Sequence, residues 1–342
     1  MKAVVFNEHG GAEVLRYTDA PDPRPKANEV LVEVRACALN HLDVWTRAGL
    51  HGIPVPLPHI LGNDIAGVVR EAGELVTWVR AGDEVLLQPG VSCGHCRECL
   101  RGHDNLCPEY DILGYRRAGG YAELVTAPGV NVVPKPKNLT WEEAAALPLV
   151  LLTAWHMLVT RARVQASEDV LVHAAGSGVG SIGIQIAKLR GARVIATAGS
   201  NEKLSKAREL GADEAINYTN GDWVKEVRAL TEGRGVDVVF EHTGAETWPG
   251  SVKALAAGGR LVTCGATSGY DARTDIRQLF YRHLTFLGSF MGAKYELLDA
   301  IKFVERGSLR AVVDQVLPLS EARRAHELME DRAQFGKLVL VP

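Results

Sequence analysis

The sequence predicts an α/β chain in which a parallel sheet with covering helices follows a mostly antiparallel domain of short strands. Three observations predict it. The first 130 residues carry short β-branched runs broken by Pro and Gly. After Asp169 short apolar strands alternate with helices, the texture of βαβ units. The first strand of that series runs into Gly176, Gly178 and Gly180. A chain of 342 residues with 46% hydrophobic and 23% charged residues has ordinary globular composition and room for two domains. Extensive disorder is excluded.

In the first domain, residues 1–130, Lys2–Phe6, Val30–Arg35, Ile65–Arg70, Glu84–Leu87 and Tyr121–Val125 read as strands. Pro21, Pro23, Pro25 and the Pro54–Pro58 stretch lie in the connections. The second domain, residues 131–292, opens with Thr140-Trp-Glu-Glu143, a capping box that predicts a long helix. Strands follow at Val170–Ala174, Arg193–Thr197, Ala215–Tyr218, Val236–Phe240 and Arg260–Cys264, with Leu284–Gly288 as a sixth. Helices between them span Gly180–Leu189, Glu202–Leu210, Asp222–Leu230, a segment ending at Ala257, and Arg273–Tyr281. Residues 293–342 continue as helix (Lys294–Glu305), strand (Val312–Val316), helix (Glu321–Glu330) and strand (Leu338–Val341). Periodicity alone leaves open which sheet these last strands join.

A formal net charge of −3 without a basic block argues against a nucleic-acid partner held by backbone charge. The longest apolar run, Ala144 to Trp155, contains Pro148 and is too short to span a bilayer. Met1 leads directly into Lys2-Ala-Val-Val-Phe6 without a secretory pattern, so the expected setting is cytoplasmic, with no membrane partner.

A dinucleotide's pyrophosphate needs close backbone approach and a helix N-terminus aimed at it. Gly176, Ser177, Gly178, Val179 and Gly180, between an apolar strand and a helix, supply both. Gly183, inside the helix, reads as a packing residue. The next strand ends in Ala198, Gly199 and Ser200, where a carboxylate would take both ribose hydroxyls of NAD. With Ala198 there, and Ser200 and Lys203 as neighbouring donors, the reading favours NADP(H) over NAD(H). Ser200 is also suited to capping the helix that follows.

Cys93, Cys96, Cys99 and Cys107 form the second constellation. Four thiolates close a tetrahedron around zinc and leave no position for substrate, so the lobe at about 90–110 reads as a structural zinc clamp. Iron–sulfur is the chemical competitor. Cys37 and Cys264 read as buried core residues.

With these motifs in place the chain resembles the medium-chain dehydrogenase/reductases over essentially its full length. The resemblance is carried by Gly62-Asn-Asp-Ile-Ala-Gly-Val-Val69, Val79-Arg-Ala-Gly-Asp-Glu-Val85, Gly119-Gly-Tyr-Ala-Glu123 and the glycine-rich turn. It implies a GroES-like catalytic domain plus a doubly wound Rossmann domain, with residues 293–342 returning to the first. The cysteine lobe is similar to that of the zinc-containing alcohol dehydrogenases. Their catalytic zinc ligands are not matched: Asn40, Asn63 and Leu149 stand at the three positions. A different metal site built from His41, Asp43, His59, Asp64 and His156 is the alternative.

Asn40-x2-Asp43, Ala174–Gly180, Ala196–Ser200 and Ile216-Asn-Tyr218 resemble the quinone oxidoreductase and enoyl reductase branch. The function this implies is hydride transfer from NADPH to a quinone or α,β-unsaturated carbonyl without a catalytic metal. A zinc-type alcohol dehydrogenase and a nucleotide-binding regulatory or structural protein are the alternatives. Asn40, His41, Asp43 and Tyr115 are the candidate catalytic residues, with Asn40 as donor to the enolate oxygen. The resemblance adds Thr153, Tyr218, Gly244, Cys264, Gly265 and Phe290 to the cofactor side. It also implies a homodimer or homotetramer, with Leu284–Gly288 as the pairing edge. Substrate shape is expected to depend on loops at Gly49–Ile60, Ile112–Gly119 and Tyr270–Thr274.

Overall fold

The computed structural model describes residues 1–50 and 54–342; residues 51–53 of the Gly49–Ile60 loop lie outside the described residues. The chain divides into two compact units. The first comprises Met1–Val150, Ala293–Gly307 and Ala311–Pro342, and the second Leu151–Gly292 with Ser308–Arg310.

The first unit is built on a sheet whose strands run Val132–Pro134, Glu84–Leu87, Asp64–Ala72, Glu29–Ala38, Lys337–Val341 and Val313–Pro318 in spatial order. Leu124–Pro128 also pairs with Glu29–Ala38. The pairing is antiparallel except between the last two strands. A smaller sheet joins Arg16–Asp19, Lys2–Phe6 and His59–Ile60. Alternating apolar residues such as Val30, Val32, Val34, Ile65, Val69, Leu87, Leu338 and Leu340 meet in its core, as strand periodicity requires.

Residues 131–150, expected with the parallel sheet, lie instead in the first unit. Val132–Pro134 is an edge strand of its sheet. Ala144, Ala145 and Ala146 pack against Ala36, Ala38, Ala66 and Val339, where only small side chains allow a helix so close. The long helix expected after Thr140 is also divided. Its capping box forms, with Thr140 Oγ1 accepting from Glu143 N, but the helix closes at Ala145. Pro148, which lacks an N–H, opens a second one over Pro148–Trp155. A wider turn over His156–Arg161 follows.

Two further boundaries differ. The strand expected at Tyr121 begins at Leu124, because the Tyr121 N–H and carbonyl are tied to Leu61 and Val4 in a loop. Arg16–Asp19, with every side chain exposed, gave no alternation to read.

The second unit is a parallel sheet in the order Glu214–Asn217, Arg193–Ala198, Asp169–Val172, Val236–Glu241, Leu255–Thr263 and Thr285–Gly288. This is the doubly wound order in which the chain turns outward from its first strand in both directions. Its core joins Leu171, Ile195, Val239 and Leu261 to helix residues Val227 and Val252. No helix among the described residues is long and apolar enough to cross a membrane.

Candidate active site

In the second unit the strand Asp169–Val172 leads through the glycine-rich turn into the helix Gly178–Leu189. Ser177 caps that helix, its Oγ accepting from Gly180 N at 2.8 Å. A Cβ on Gly180 would lie 2.4 Å from the Ala174 carbonyl oxygen, so the turn closes only with glycine there. Gly176 is buried, while Gly178 and Val179 are half-buried at the helix N-terminus, the electropositive end of the helix. Gly183 faces the Phe240 ring at about 3.0 Å from its Cβ position, a packing contact between helix and sheet.

Arg193–Ala198 ends at Ala198, and Ser200 caps the next helix by accepting from Lys203 N at 3.3 Å. Gly199 lies under the Tyr218 hydroxyl, which would sit 2.7 Å from an added Cβ. Ala198, Gly199, Ser200, Lys203 and Tyr218 thus gather at one corner of the sheet. Gly244 has φ +102°, and a Cβ there would meet the Gly269 carbonyl at 2.5 Å. Thr153 is buried against Met291 Sδ. Cys264 and Gly265 are half-buried just past the fifth strand, and Phe290 is exposed. Cys264 is therefore not the fully buried core residue expected, although burial pushes its thiol up to about 12.

Sequence reading missed a buried network behind these loops. Glu241 Oε1 accepts from the N–H groups of Thr243 and Gly244, and Oε2 accepts from Ser251 Oγ at 2.7 Å. Ser251 in turn meets His173 Nε2 at 3.0 Å, and His173 Nδ1 meets Thr197 Oγ1 at 3.1 Å. Because Ser251 donates to Glu241, His173 carries its proton on Nε2. Burial draws the His173 pKa down to about 4. Burial opposes ionisation of Glu241, and its contacts to His173, Ser251 and Thr243 more than offset that. One hydrogen-bonded line therefore joins the C-terminal ends of three neighbouring strands.

In the first unit, Cys93, Cys96, Cys99 and Cys107 place their sulfurs within 4.8 Å of one another. Cys93 and Cys99 lie 3.9 Å apart. Zinc–sulfur bonds of about 2.3 Å at tetrahedral angles separate sulfurs by roughly 3.8 Å. The backbone N–H groups of Cys96, Cys93 and Glu109 approach Cys93 Sγ and Cys107 Sγ at 3.4 Å, hydrogen bonds that help to stabilise and orient thiolates. The donor set and its spacing fit a tetrahedral metal, and the short pair Gly90–Val91 with Asp111–Ile112 closes the base of the lobe.

Asn40 precedes the helix His41–Ala48 and is 7% exposed. Its Oδ1 accepts from Lys337 Nζ at 2.6 Å, and its Nδ2 donates to Asp64 Oδ2 at 2.9 Å. Lys337 also donates to Asp64 Oδ2 at 2.8 Å, and Asp64 Oδ1 accepts from Leu149 N at 2.6 Å. Asp64 is wholly buried and Lys337 is 3% exposed. Two positions read from the resemblance as zinc-ligand positions, Asn40 and Leu149, are thus joined here by an ion pair and hydrogen bonds. Asn63, at the third, donates through Nδ2 to the Leu113 carbonyl at 2.6 Å.

Asp43 lies beneath. Its carboxylate accepts from Asn40 N at 2.8 Å and Gly62 N at 3.0 Å, and burial pushes its pKa up to about 7. Burial and the nearby Asp43 charge raise the Tyr121 hydroxyl pKa. Tyr121 OH lies 3.2 Å from His326 Nε2, and Arg47 donates to His326 Nδ1 at 3.1 Å and to Glu330 at 2.6 Å. Arg47 only donates, so His326 presents Nε2–H to Tyr121, and the line of donors runs inward from Arg47 to the Tyr121 hydroxyl. Burial and the neighbouring guanidinium draw His326 down to about 3. Asp43 is a carboxylate that holds the loop around Asn40, rather than an exposed acid.

Of the remaining candidates, His41 is half-buried beside the Trp45 ring. Tyr115 is half-buried with the Arg116 guanidinium against its ring, and burial raises its hydroxyl pKa. His59 is buried against Phe6 and hydrogen-bonded to the Gly114 carbonyl, and His156 belongs to the other unit. Among the described residues, groups of three or more His, Cys, Asp or Glu with metal-ligand spacing occur in the cysteine lobe alone.

The fold and these sites define an NAD(P)-dependent dehydrogenase/reductase, and the chain belongs to the medium-chain dehydrogenase/reductase superfamily. Residues 26–137 match the alcohol dehydrogenase GroES-like domain, and residues 178–306 match the zinc-binding dehydrogenase domain. A solved NAD-dependent alcohol dehydrogenase is 54% identical over the whole of both chains, with a TM-score of 0.97. The NAD-dependent alcohol dehydrogenase of Sulfurisphaera tokodaii is 33% identical over 100% of both chains. Quinone oxidoreductase 1 of Escherichia coli is 30% identical over 99% of each.

Proposed function

We propose that the protein transfers hydride from NADPH to a quinone or α,β-unsaturated carbonyl, with Asn40 donating a hydrogen bond to the oxygen that gains charge. The observation that carries this reading is the closed contact of Asn40, Asp64 and Lys337. An ammonium already holds the Asn40 oxygen and the Asp64 carboxylate, and it repels a second cation. An amide, an amide and a leucine are in any case poor zinc ligands. A polarised acceptor needs only a positioned donor, whereas an alkoxide needs stronger stabilisation. The cofactor carries the hydride. The glycine-rich turn holds its pyrophosphate, while Thr153, Gly244, Cys264, Gly265 and Phe290 belong to the segments along its path. His41 and Tyr115 are the candidates to return a proton. Cys93, Cys96, Cys99 and Cys107 hold one structural zinc, which maintains the lobe.

NADPH oxidation with 1,4-naphthoquinone tests the activity. Asn40→Ala is expected to lower kcat about 100-fold, the usual effect of removing one such donor. Unchanged kcat in that variant overturns the assignment. Alcohol oxidation is the second reading, favoured by the names of the alcohol dehydrogenase relatives. It predicts a second metal per chain and activity lost on its removal.

NADP(H) preference rests on Ala198, Ser200 and Lys203, whereas those relatives are named for NAD. Ser200→Asp keeps a helix-capping side chain while placing negative charge at the 2′-position. It is expected to raise KM for NADPH at least about tenfold, by roughly 1.4 kcal/mol of repulsion, with little change for NADH. Equal effects on both cofactors reject the preference. Thr285–Gly288, the edge of the parallel sheet, is the proposed pairing strand of a homodimer, measurable by light scattering.

A further inference from the structure

We propose that Lys337 and Asp64 are positioning residues that fix the orientation of the Asn40 amide and so aim its remaining N–H as the donor. The proposal rests on the assignment of Asn40 made above. A primary amide has two chemically distinct ends, one accepting and one donating. Lys337 can only donate, so the Asn40 atom 2.6 Å from its Nζ is the carbonyl oxygen. Asp64, paired with that ammonium at 2.8 Å, accepts, so the atom 2.9 Å from its Oδ2 is the amide nitrogen. A flipped amide sets carbonyl against carboxylate and NH2 against ammonium. The three contacts close a ring that admits one orientation.

The ring consumes only one of the two amide hydrogens. Lys337 and Asp64 touch each other, so the hydrogen committed to Asp64 is the one on the same side of the amide as Oδ1. The hydrogen on the opposite side is left out of the ring. The backbone is held as well: Asn40 N donates to Asp43 Oδ2, and Asp64 Oδ1 is tied to Leu149 N. Lys337 thereby acts on the substrate oxygen through Asn40.

The test uses the full-length, zinc-loaded protein with NADPH and 1,4-naphthoquinone. Lys337→Met and Lys337→Arg are compared with Asp64→Asn/Lys337→Met, which removes both buried charges and keeps an acceptor for Leu149. Lys337→Met and the double variant are expected to lower kcat roughly 10- to 100-fold. KM for NADPH is expected to stay within about threefold, because no cofactor contact is changed. The deuterium isotope effect with 4-deuterated NADPH is expected to rise as hydride transfer becomes limiting, and Lys337→Arg is expected to restore most of the rate. If Lys337→Met does not fold, the charge-free double variant decides. Wild-type kcat and isotope effect in the double variant, with activity lost in Asn40→Ala, overturn this proposal and leave the Asn40 assignment intact. Wild-type kcat in Asn40→Ala overturns the assignment itself.

Discussion

The cysteine lobe and the Asn40 cluster are both compact gatherings of polar side chains in the first unit, built on opposite chemistry. In the lobe four sulfurs converge within 4.8 Å of one another, a spacing that fits a tetrahedral metal, and backbone N–H groups approach them. In the cluster Lys337 bridges Asn40 and Asp64 directly, so the charges balance one another. The first arrangement suits a cation, whereas the second already contains one. A single fold thus keeps a cluster of metal-ligand type and a self-satisfied polar cluster in one unit.

The strongest challenge to that contrast is Cys107→Ser. Metal analysis is expected to fall from about one zinc per chain to none. Loss of ligand-binding energy is expected to lower Tm by about 10 °C, for on the order of 3 kcal/mol lost. Catalysis per folded molecule stays within about twofold of the parent. A kcat falling with the metal would erase the distinction between the regions.

Acid titration probes the Asn40 side of the contrast next. His326 has a pKa of about 3 in the folded chain against 6.5 ordinarily, so the folded state binds fewer protons in that window. Its contribution is fully present above pH 6.5 and is lost as pH falls towards 3, at about 1.4 kcal/mol per pH unit. Asp43 has the opposite sign. Its pKa rises from 3.8 to about 7, so stability is lost as pH climbs through that interval. His326→Gln is therefore expected to remove about 2–3 kcal/mol of the loss between pH 6.5 and 4.5, read from urea midpoints. An unchanged pH slope would show that His326 is not the buried neutral group described.

Tyr121→Phe gives the smallest effect. It removes the hydroxyl that meets His326 and strands His326 Nε2–H, costing about 1–3 kcal/mol in urea unfolding at pH 7. A neutral result would mean that the inward chain of donors carries no energy.

Much of this was legible in the sequence wherever the signal is local. Lys2–Phe6, Glu84–Leu87 and Lys294–Glu305 match their expected bounds to the residue, because turns or caps punctuate both ends. The cysteine lobe was legible because its spacing is itself the ligand geometry. The Asn40 cluster was only half legible. Asn40 and Asp43 stand out as a short motif, but Lys337 lies just outside the apolar strand read at Leu338–Val341 and becomes its first residue only in the fold. Its partners lie 297 and 273 positions away, and no periodicity encodes such a pairing. Tyr121 and His326 meet across 205 positions, and the His173–Ser251–Glu241 line joins two strand ends to a helix. The division at Pro148 was visible in the run itself, yet the capping box at Thr140 suggested one uninterrupted helix.

Lys337–Val341 fills the slot between Glu29–Ala38 and Val313–Pro318, with Val339 opposite Ala38. As the ribosome extends the chain from its N-terminus, Asp64 therefore emerges long before the lysine that balances it. The parallel-sheet unit, drawn almost wholly from one continuous stretch, can complete itself first. The unit begun first is finished last, and during that interval its half-built sheet carries an open edge and an uncompensated carboxylate. Vectorial synthesis makes this the stage at which a nascent chain is most exposed to misassociation and to chaperone capture.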